Sequence, residues 1–367
     1  DGCFDCYHFG HSNALRQARA VGDVLLVGVH TDSEVQRIKG SAPVTPEQER
    51  YAALRACKFV DEVIEGAPYV PTKEWIDTLR SQYGVDYIVH GDDPCFTPDG
   101  QDAYAYAKEL NMFKIVKRTE GVSTTDLVGR MLLMTREHHV HTPVDPAASG
   151  DFKRLRSASW ADEATTTAGQ SHFLPTARRI RQFASDRVPT KSDKVVYLPG
   201  AFDLFTEGHI QAMKAAKALG TFLVVGVYDD QTVNKVQGGG HPVMNLHERS
   251  LSVLACRYAD EVIIGAPRHV TEDLLTSMNV SVVAHGTASE GKYLESFGQG
   301  VDAPDDPFFV AKKAGKFHVF ASPSSMLVTT VIERVMAHRE ELAAKVKRKA
   351  KAESSYYSNT KTYVSEG

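Results

Sequence analysis

The sequence predicts an α/β protein made of two similar domains, each with a parallel sheet, joined by a long linker. The chain repeats itself: G-C-F-D-C-Y-H-F-G-H at Gly2 returns as G-A-F-D-L-F-T-E-G-H at Gly200, about 198 residues later. A repeat of that length indicates a duplicated domain and not a solenoid unit. Within each copy, short apolar runs alternate with helical stretches, which is typical of a parallel sheet covered by helices on both faces.

The elements follow in order along the first copy. Val24 to Val29 is a continuous apolar run, as expected of a strand buried on both faces. Pro46 to Cys57 has helical character, with proline at its start and acidic residues in its first turn. Further strands are predicted at Phe59 to Ile64, Tyr87 to His90 and Phe113 to Val116, and Phe222 to Val227 repeats the first strand in the second copy. We therefore expect domains at 1–135 and 195–340, a linker at 136–194 and a tail at 341–367.

Composition excludes several classes of protein. The 367 residues carry a net charge of −4, which gives no reason to expect a nucleic acid partner. No apolar run approaches the roughly 20 residues that span a bilayer. Five scattered cysteines favour a reducing compartment, so we expect a cytoplasmic protein. Because the first residues have the character of a strand end, we expect native residues before Asp1, and a targeting peptide stays open.

The cysteines have a packing interpretation. Cys3 and Cys6 form a C-x-x-C, but no second such pair completes a tetrahedral metal site. The second copy replaces them with Ala201 and Leu204, which favours packing over redox chemistry. Cys57 and Cys256 match each other inside an apolar helix and are expected to be small buried hydrophobic residues.

Two histidines flank a glycine where the first strand gives way to a helix. Ligands of such sheets bind beyond the carboxyl ends of the strands, where His8 to His11 and His90 to Asp93 both lie. A helix start presents backbone N–H groups to an anion, and Gly10 lacks the Cβ that would keep a phosphate away. Histidines at i and i+3 share one side of the helix, so we interpret them as a polyphosphate clamp. Metal ligation and an internally satisfied pair are the alternatives.

Two further segments strengthen the phosphate interpretation. R-T-E-G-V-S-T-T-D, Arg118 to Asp126, combines a bidentate cation, a glycine and three hydroxyls at a helix start. Lys39, in I-K-G, is expected to be a mobile loop cation that closes over a triphosphate. A solvated loop charge is the alternative for Lys39.

The order of these motifs, with E-R-Y between K-G and R-T-E-G, resembles the cytidylyltransferases of phospholipid synthesis. Because the duplication covers nearly the whole chain, the chain is similar to the CTP:phosphoethanolamine cytidylyltransferase family. Its segment S-H-F-L-P-T, Ser171 to Thr176, also resembles the connection between the two domains of that family. The resemblance implies two tandem Rossmann-like nucleotidyltransferase domains that convert CTP and phosphoethanolamine into CDP-ethanolamine and pyrophosphate. It further implies Mg²⁺ bound mainly through CTP, no protein metal site, and at most peripheral contact with a membrane such as the endoplasmic reticulum surface; a homodimer stays open.

Residue roles follow from the same resemblance. The phosphate of phosphoethanolamine attacks the α-phosphorus of CTP in line, without a covalent enzyme intermediate. Asp5 and Asp92 are assigned to the substrate ammonium, although a turn cap is the alternative for Asp5. Catalysis is assigned to His8, His11, Lys39 and Arg118, and CTP binding also to Cys3, Phe4, Gly10, His90, Gly91, Thr119, Gly121, Ser123, Thr124 and Thr125.

The second copy departs from this pattern at the chemistry. Thr206 replaces His8, Gln237 replaces Lys39, and S-P-S-S-M-L-V-T-T, Ser322 to Thr330, replaces the arginine loop. His209 and His285 remain. We expect one working site, in the first domain, with the second copy kept for structure or regulation.

Alternatives remain for the function and for two segments. One alternative is a phosphocholine cytidylyltransferase, a family known for a single catalytic fold followed by a long amphipathic membrane helix. The other is a nucleotide-binding regulator without turnover, which the substitutions in the second copy would favour. An aromatic follows the loop proline in the phosphocholine family, whereas Cys95 follows Pro94 here, which favours phosphoethanolamine. H-H-V-H, His138 to His141, is expected to be solvated linker and not a metal site. K-V-K-R-K-A-K, Lys345 to Lys351, is expected to be a solvated helix end and not a lipid contact.

Overall fold

The computed structural model describes residues 1–92, 95, 102–119, 121–140, 177–289 and 306–348. In the first half, β1 (Leu26–Val29) pairs in parallel with β2 (Glu62–Glu65), and β3 (Ile88–Gly91) pairs in parallel with β4 (Phe113–Val116). In the second half, β5 (Val195–Gly200), β6 (Phe222–Tyr228), β7 (Glu261–Ala266), β8 (Val280–Gly286) and β9 (Phe317–Phe320) form one parallel sheet in the order β7-β6-β5-β8-β9. The predicted α/β class with parallel sheets is confirmed.

The two sheets follow the same plan. β1 and β2 correspond to β6 and β7, while β3 and β4 correspond to β8 and β9. Gly2 occupies the place of β5: its N–H donates to the Gly28 carbonyl at 2.9 Å, and its carbonyl accepts from His30 N–H at 3.2 Å. The strands described in the first domain thus form two parallel pairs, β1 with β2 and β3 with β4.

The helices begin and end where the sequence provides caps. The helix predicted from Pro46 to Cys57 is confirmed at Glu47–Ala56, and the Thr31 and Thr72 hydroxyls accept backbone N–H bonds at the starts of two others. The α-helices described in full are Phe9–Arg19, Asp32–Lys39, Glu47–Ala56, Lys73–Tyr83, Ala105–Glu109, Thr124–Leu133, Ala177–Phe183, Glu207–Lys217, Asp230–Gln237, Leu246–Leu254, Glu272–Ser277, Phe309–Lys313 and Val328–Ala337. Residues 339–348 are also helical. Within the described residues, no helix has the length and apolar character needed to cross a bilayer.

Aligned residues of the two domains meet at their interface. Cys57 and Cys256 are buried, as the packing interpretation predicted, but each follows its helix instead of lying inside it, and the two residues face each other in an antiparallel bridge. Lys58 N–H donates to the Ala255 carbonyl at 2.9 Å, and the equivalent Arg257 N–H donates to the Ala56 carbonyl at 2.8 Å. The domains therefore pack about a pseudo-two-fold axis, with the self-complementary pattern of a symmetric dimer.

Two crossed ion pairs repeat this symmetry. Arg130 of the first domain donates to both carboxylate oxygens of Glu248 at 2.7 and 3.0 Å. The aligned Arg334 of the second domain donates to both oxygens of Glu49 at 2.8 and 2.7 Å. Helices Thr124–Leu133 and Val328–Ala337, which carry these arginines, share one apolar cluster that includes Leu127, Met131, Val331 and Val335. Each domain thus supplies part of the core of the other.

The predicted linker and tail pack more than their composition suggested. Phe183, in the helix Ala177–Phe183, is buried, and its carbonyl accepts from Lys58 Nζ. The expectation of a solvated segment is wrong for His138, which is buried with Nε2 at 2.7 Å from the Pro242 carbonyl. Leu342 is buried in helix 339–348, so that helix is more than a solvated end. His141, Ser171 to Thr176 and residues 349–367 lie outside the described residues, and the domain boundaries stay predictions.

Candidate active site

One cavity of the first domain brings together nearly all of the residues predicted to form the site. It lies at the carboxyl ends of β1 and β3. Of the predicted residues, Asp92 and Gly121 are the two that do not line it. Those that do are Cys3, Phe4, Asp5, His8, Gly10, His11, Lys39, His90, Gly91, Arg118, Thr119, Ser123, Thr124 and Thr125.

The two histidines are fixed by the start of the first helix. Gly10 N–H donates to His8 Nδ1 at 3.1 Å, and His8 N–H donates to His11 Nδ1 at 3.3 Å. The rings stack with their centroids 3.9 Å apart. Since both Nδ1 atoms accept a hydrogen bond, this network assigns the proton of each neutral ring to Nε2. Both rings therefore present an N–H donor on the edge opposite the helix cap.

Gly10 is required by this packing as well as by access to the backbone. A Cβ at position 10 would lie 2.9 Å from Cε1 and Nδ1 of His8 and 2.9 Å from Cγ1 of Val122. Any side chain there would displace either the His8 ring or the loop that follows Arg118. The glycine thus holds two walls of the cavity at their observed separation.

Asp5 caps a turn, which was the alternative to substrate binding. Its carboxylate accepts from Val44 N–H at 3.1 Å, Thr45 N–H at 2.9 Å and Thr45 Oγ1 at 2.8 Å. Asp203 holds Val243 and Met244 in the same way in the second domain, at 2.7 and 2.8 Å. Both carboxylate oxygens take part in this internal network, which favours the turn cap as the role of Asp5.

Lys39 differs from the predicted loop cation in its backbone. It is the last residue of helix Asp32–Lys39, and Gly40 ends the helix in the left-handed conformation at φ +74°. Its Nζ lies 5.5 Å from the centroid of the Tyr69 ring. The lysine is therefore carried by a defined helix end beside the cavity, and the turn from Gly40 to Thr45 determines where that end lies.

The arginine loop is held from two sides. Arg118 N–H donates to Asp92 Oδ1 at 3.1 Å, so Asp92 supports the loop from the end of β3. Asn13 Nδ2 donates to Thr119 Oγ1 at 2.8 Å from the helix that His8 begins. This contact joins the histidine helix directly to the arginine loop. Glu120 lies outside the described residues.

The hydroxyls at the next helix start are used within the protein. Ser123 Oγ accepts from Asp126 N–H at 3.1 Å and donates to Asp126 Oδ2 at 2.8 Å. Thr124 Oγ1 donates to the Asp5 carbonyl at 2.8 Å, whereas Thr125 lines the cavity. A phosphate here would meet the helix N-terminus mainly through backbone N–H groups, with the helix dipole in its favour.

Neighbouring aromatic rings complete the walls. The Phe4 ring lies 5.5 Å from the His11 ring, edge to face. His90, at the end of β3, lies 4.8 Å from the Tyr104 ring, and its Nδ1 is 3.1 Å from the Gly91 carbonyl. Within the described ranges, no cluster of three or more His, Cys, Asp or Glu side chains could hold a metal ion.

The corresponding site of the second domain has the same helix start but little space. Thr206 N–H donates to His209 Nδ1 at 3.1 Å, as His8 N–H does to His11. A Cβ at Gly208 would lie 2.2 Å from the Met326 carbonyl oxygen, so the segment that replaces the arginine loop lies directly on the helix start. The cavity there is about 130 Å³, well below the roughly 300 Å³ at which small-molecule sites begin.

Sequence reasoning missed several residues that support the site. Arg50 donates to the Cys3, His30 and Thr45 carbonyls and to Asp32, and Arg249 makes the equivalent bonds in the second domain. The repeated E-R pair was the signal that could have identified this role. Asn13 and Lys345 gave no such signal, since their partners are far away in the chain.

The comparisons with known proteins agree with this geometry. The model of the cytidylyltransferase-like family matches residues 1–130 and 197–296, so both halves are cytidylyltransferase-like domains. An ethanolamine-phosphate cytidylyltransferase of Arabidopsis thaliana is 47% identical over 100% of this chain and 86% of that protein. One from Dictyostelium discoideum is 44% identical over 97% of this chain and 95% of that protein.

Similarity to choline-phosphate enzymes is shorter. Choline-phosphate cytidylyltransferase 2 of Arabidopsis thaliana is 42% identical over 36% of this chain and 43% of that protein. Similarity over the whole length of the chain is thus to ethanolamine-phosphate cytidylyltransferases. The chain belongs to the ethanolamine-phosphate cytidylyltransferase family.

Proposed function

We propose that the chain transfers CMP from CTP to phosphoethanolamine, giving CDP-ethanolamine and pyrophosphate. The observation that carries this proposal is the cavity of the first domain, where the stacked His8 and His11 donors, Lys39 and Arg118 line one space. That set suits a reaction in which negative charge develops on phosphate oxygens. The full-length relatives named ethanolamine-phosphate cytidylyltransferase support the choice of acceptor.

The reaction needs positioning and charge stabilisation more than covalent chemistry. A phosphate oxygen of phosphoethanolamine forms a bond to the α-phosphorus of CTP, and the bond from that phosphorus to the bridging oxygen of pyrophosphate breaks. The Nε2–H groups of His8 and His11 donate to phosphate oxygens as charge builds in the transition state. Lys39 and Arg118 neutralise the triphosphate and the leaving pyrophosphate.

The nucleotide enters as its magnesium complex. Mg²⁺ keeps several waters and binds through substrate phosphates when no dedicated protein cage is present. The donor set at this site is cationic or neutral, which suits an anionic Mg·CTP complex better than a bare cation. Mg²⁺ would supply further neutralisation of phosphate charge. Asp92, which supports the arginine loop beside the cavity without lining it, is kept as the proposed partner of the substrate ammonium.

A matched pair of variants tests the assignment. His11→Ala should lower kcat by about 10²–10³ because a donor to the transition state is lost. His209→Ala removes the aligned histidine of the closed second site and should leave most of the activity. Pyrophosphate release from CTP and phosphoethanolamine measures both, with circular dichroism as the check on folding. A near-normal kcat in His11→Ala would contradict the proposal. Loss of activity in His209→Ala would contradict it as well.

Location and assembly form part of the same proposal. The chain has five scattered cysteines, an odd number, which supports a reducing compartment such as the cytosol. Delivery of a lipid precursor to the endoplasmic reticulum surface requires at most peripheral membrane contact. A homodimer would use surfaces other than the pseudo-two-fold interface, because that interface is already filled within one chain.

A further inference from the structure

The helix that follows the second domain reaches the active-site cavity of the first. Leu342, Lys345 and Val346, from helix 339–348, line the same cavity as His8, His11 and Lys39. Lys345 Nζ donates to Ser41 Oγ at 2.7 Å. Ser41 is buried and stands two residues after Lys39, directly beyond the glycine that ends the lysine helix.

Apolar packing fixes this helix in place. Leu342 is buried in a cluster with Val44 of the Lys39 turn and with Leu127 and Val128 of the helix that Ser123 begins. Val346 packs against the same cluster, close to Gly129. Helix 339–348 therefore contacts two elements of the site at once, the turn after Lys39 and the helix after Arg118.

The Lys39 turn is held at both ends. Asp5 binds Val44 and Thr45 at its far end, and Lys345 binds Ser41 at its near end. The second domain contains the reciprocal contact: Arg136 of the first domain donates to the Gly239 carbonyl at 3.0 Å. In each direction, the segment after the last helix of one domain supports the turn of the other. Only the turn in the first domain follows a lysine.

We propose that Lys345 is a positioning residue for the cytidylyltransferase reaction, which braces the Ser41 turn so that Lys39 meets the CTP phosphates. This inference rests on the proposed function of the site. Without the brace, the turn from Gly40 is free to sample other arrangements, and the lysine loses part of its contact with the nucleotide. The reacting groups themselves are unchanged, so the effect acts through Lys39.

The test compares Lys345→Met with Lys347→Met, an exposed lysine of the same helix. Lys345→Met should raise the KM for CTP about tenfold, as expected when one charge-assisted contact is weakened. The KM for phosphoethanolamine and the Tm should match those of Lys347→Met, which should behave as the unchanged chain. Lys345→Arg keeps a donor and should restore most of the affinity for CTP.

Double variants separate bracing from direct binding. Ser41→Ala should reproduce Lys345→Met, and the pair together should be no worse than either change alone. In a Lys39→Ala background, Lys345→Met should have no further effect. Unchanged KM for CTP in Lys345→Met, or a full additional loss in the Lys39→Ala background, would overturn the proposal. Absence of turnover in the unmodified chain would instead refute the proposed function.

Discussion

Arg130→Met should be far more destabilising than the aligned change Arg334→Met. The Arg130 and Glu248 side chains are 9% and 0% exposed, whereas Arg334 and Glu49 are 33% and 14% exposed. Burial by itself lowers the pKa of Arg130, but the charge and hydrogen bonds of Glu248 reverse the effect and raise it overall. The first pair is therefore a charged pair inside the domain interface, and the second is partly solvated.

The difference in burial sets the magnitudes. Removing Arg130 leaves Glu248 buried with Asn245 N–H as its remaining donor, at 2.8 Å, and an uncompensated buried charge costs roughly 3–5 kcal/mol. Losing Arg334 leaves Glu49 closer to water, where an ion pair contributes about 1 kcal/mol or less. Removing the stranded charge as well, in Arg130→Met with Glu248→Gln, should recover much of the loss, since the amide oxygen still accepts from Asn245.

Urea unfolding of five proteins measures these differences: the unchanged chain, Arg130→Met, Arg334→Met, Glu248→Gln and the double variant. The free energy of unfolding should fall several times further for Arg130→Met than for Arg334→Met, and the double variant should lie above Arg130→Met. Equal losses for the two arginines would refute the argument from burial. If the double variant loses as much free energy of unfolding as Arg130→Met and Glu248→Gln lose together, the unpaired carboxylate is not the cause of the destabilisation.

Three further outcomes follow from the structure. Gly10→Ala should abolish most turnover because its Cβ would lie 2.9 Å from His8 and Val122. Gly22→Ala, which has open space around its Cβ, serves as the control. A near-normal kcat in Gly10→Ala would contradict this expectation. Phosphoethanolamine should have a much higher kcat/KM than phosphocholine, because a primary ammonium can donate hydrogen bonds to Asp92. Equal kcat/KM for the two substrates would refute this preference. Pro94, which the sequence analysis also used, lies outside the described residues. Burial lowers the pKa of His30 and of His138 to about 4 from an ordinary value of 6.5. The stability that depends on keeping these rings neutral is therefore complete above pH 6.5 and is lost as the pH falls toward 4. The loss in the free energy of unfolding is roughly 3 kcal/mol for each histidine. His138→Gln should flatten the unfolding free energy measured against pH, and an unchanged slope would count against this cause.

Local patterns predicted the fold because they report local structure. The strand Phe113–Val116 and the helix after Pro46 were predicted nearly residue for residue, since an apolar run and a proline start are visible in a few neighbouring residues. The duplication made each prediction twice. An internally satisfied histidine pair was one of the alternatives for His8 and His11, and the hydrogen bonds of their helix cap do lie within three residues.

Long-range partners account for what sequence reasoning missed. Asp5 was assigned to substrate, but its carboxylate binds a turn some 40 residues away. Lys39 was expected in a mobile loop, although the bond that holds its turn comes from Lys345, 304 residues later in sequence than Ser41. No local signal in K-V-K-R-K-A-K distinguishes Lys345 from the exposed Lys347 and Arg348. Contacts of this kind become visible only when both domains are placed together.

The second copy keeps its contacts at the pseudo-two-fold interface but lacks the cationic groups of the first site. Its equivalents of His8, Lys39 and Arg118 have gone, and Met326 closes the helix start where a phosphate would bind. Glu248 matches Glu49 of the first copy, and its partner is Arg130, at the far end of the helix that Ser123 begins in the first domain. A change at Glu248 would therefore leave Arg130 without its carboxylate partner. This contact of the second domain thus supports the first domain, although the second site lacks the cationic groups of the first.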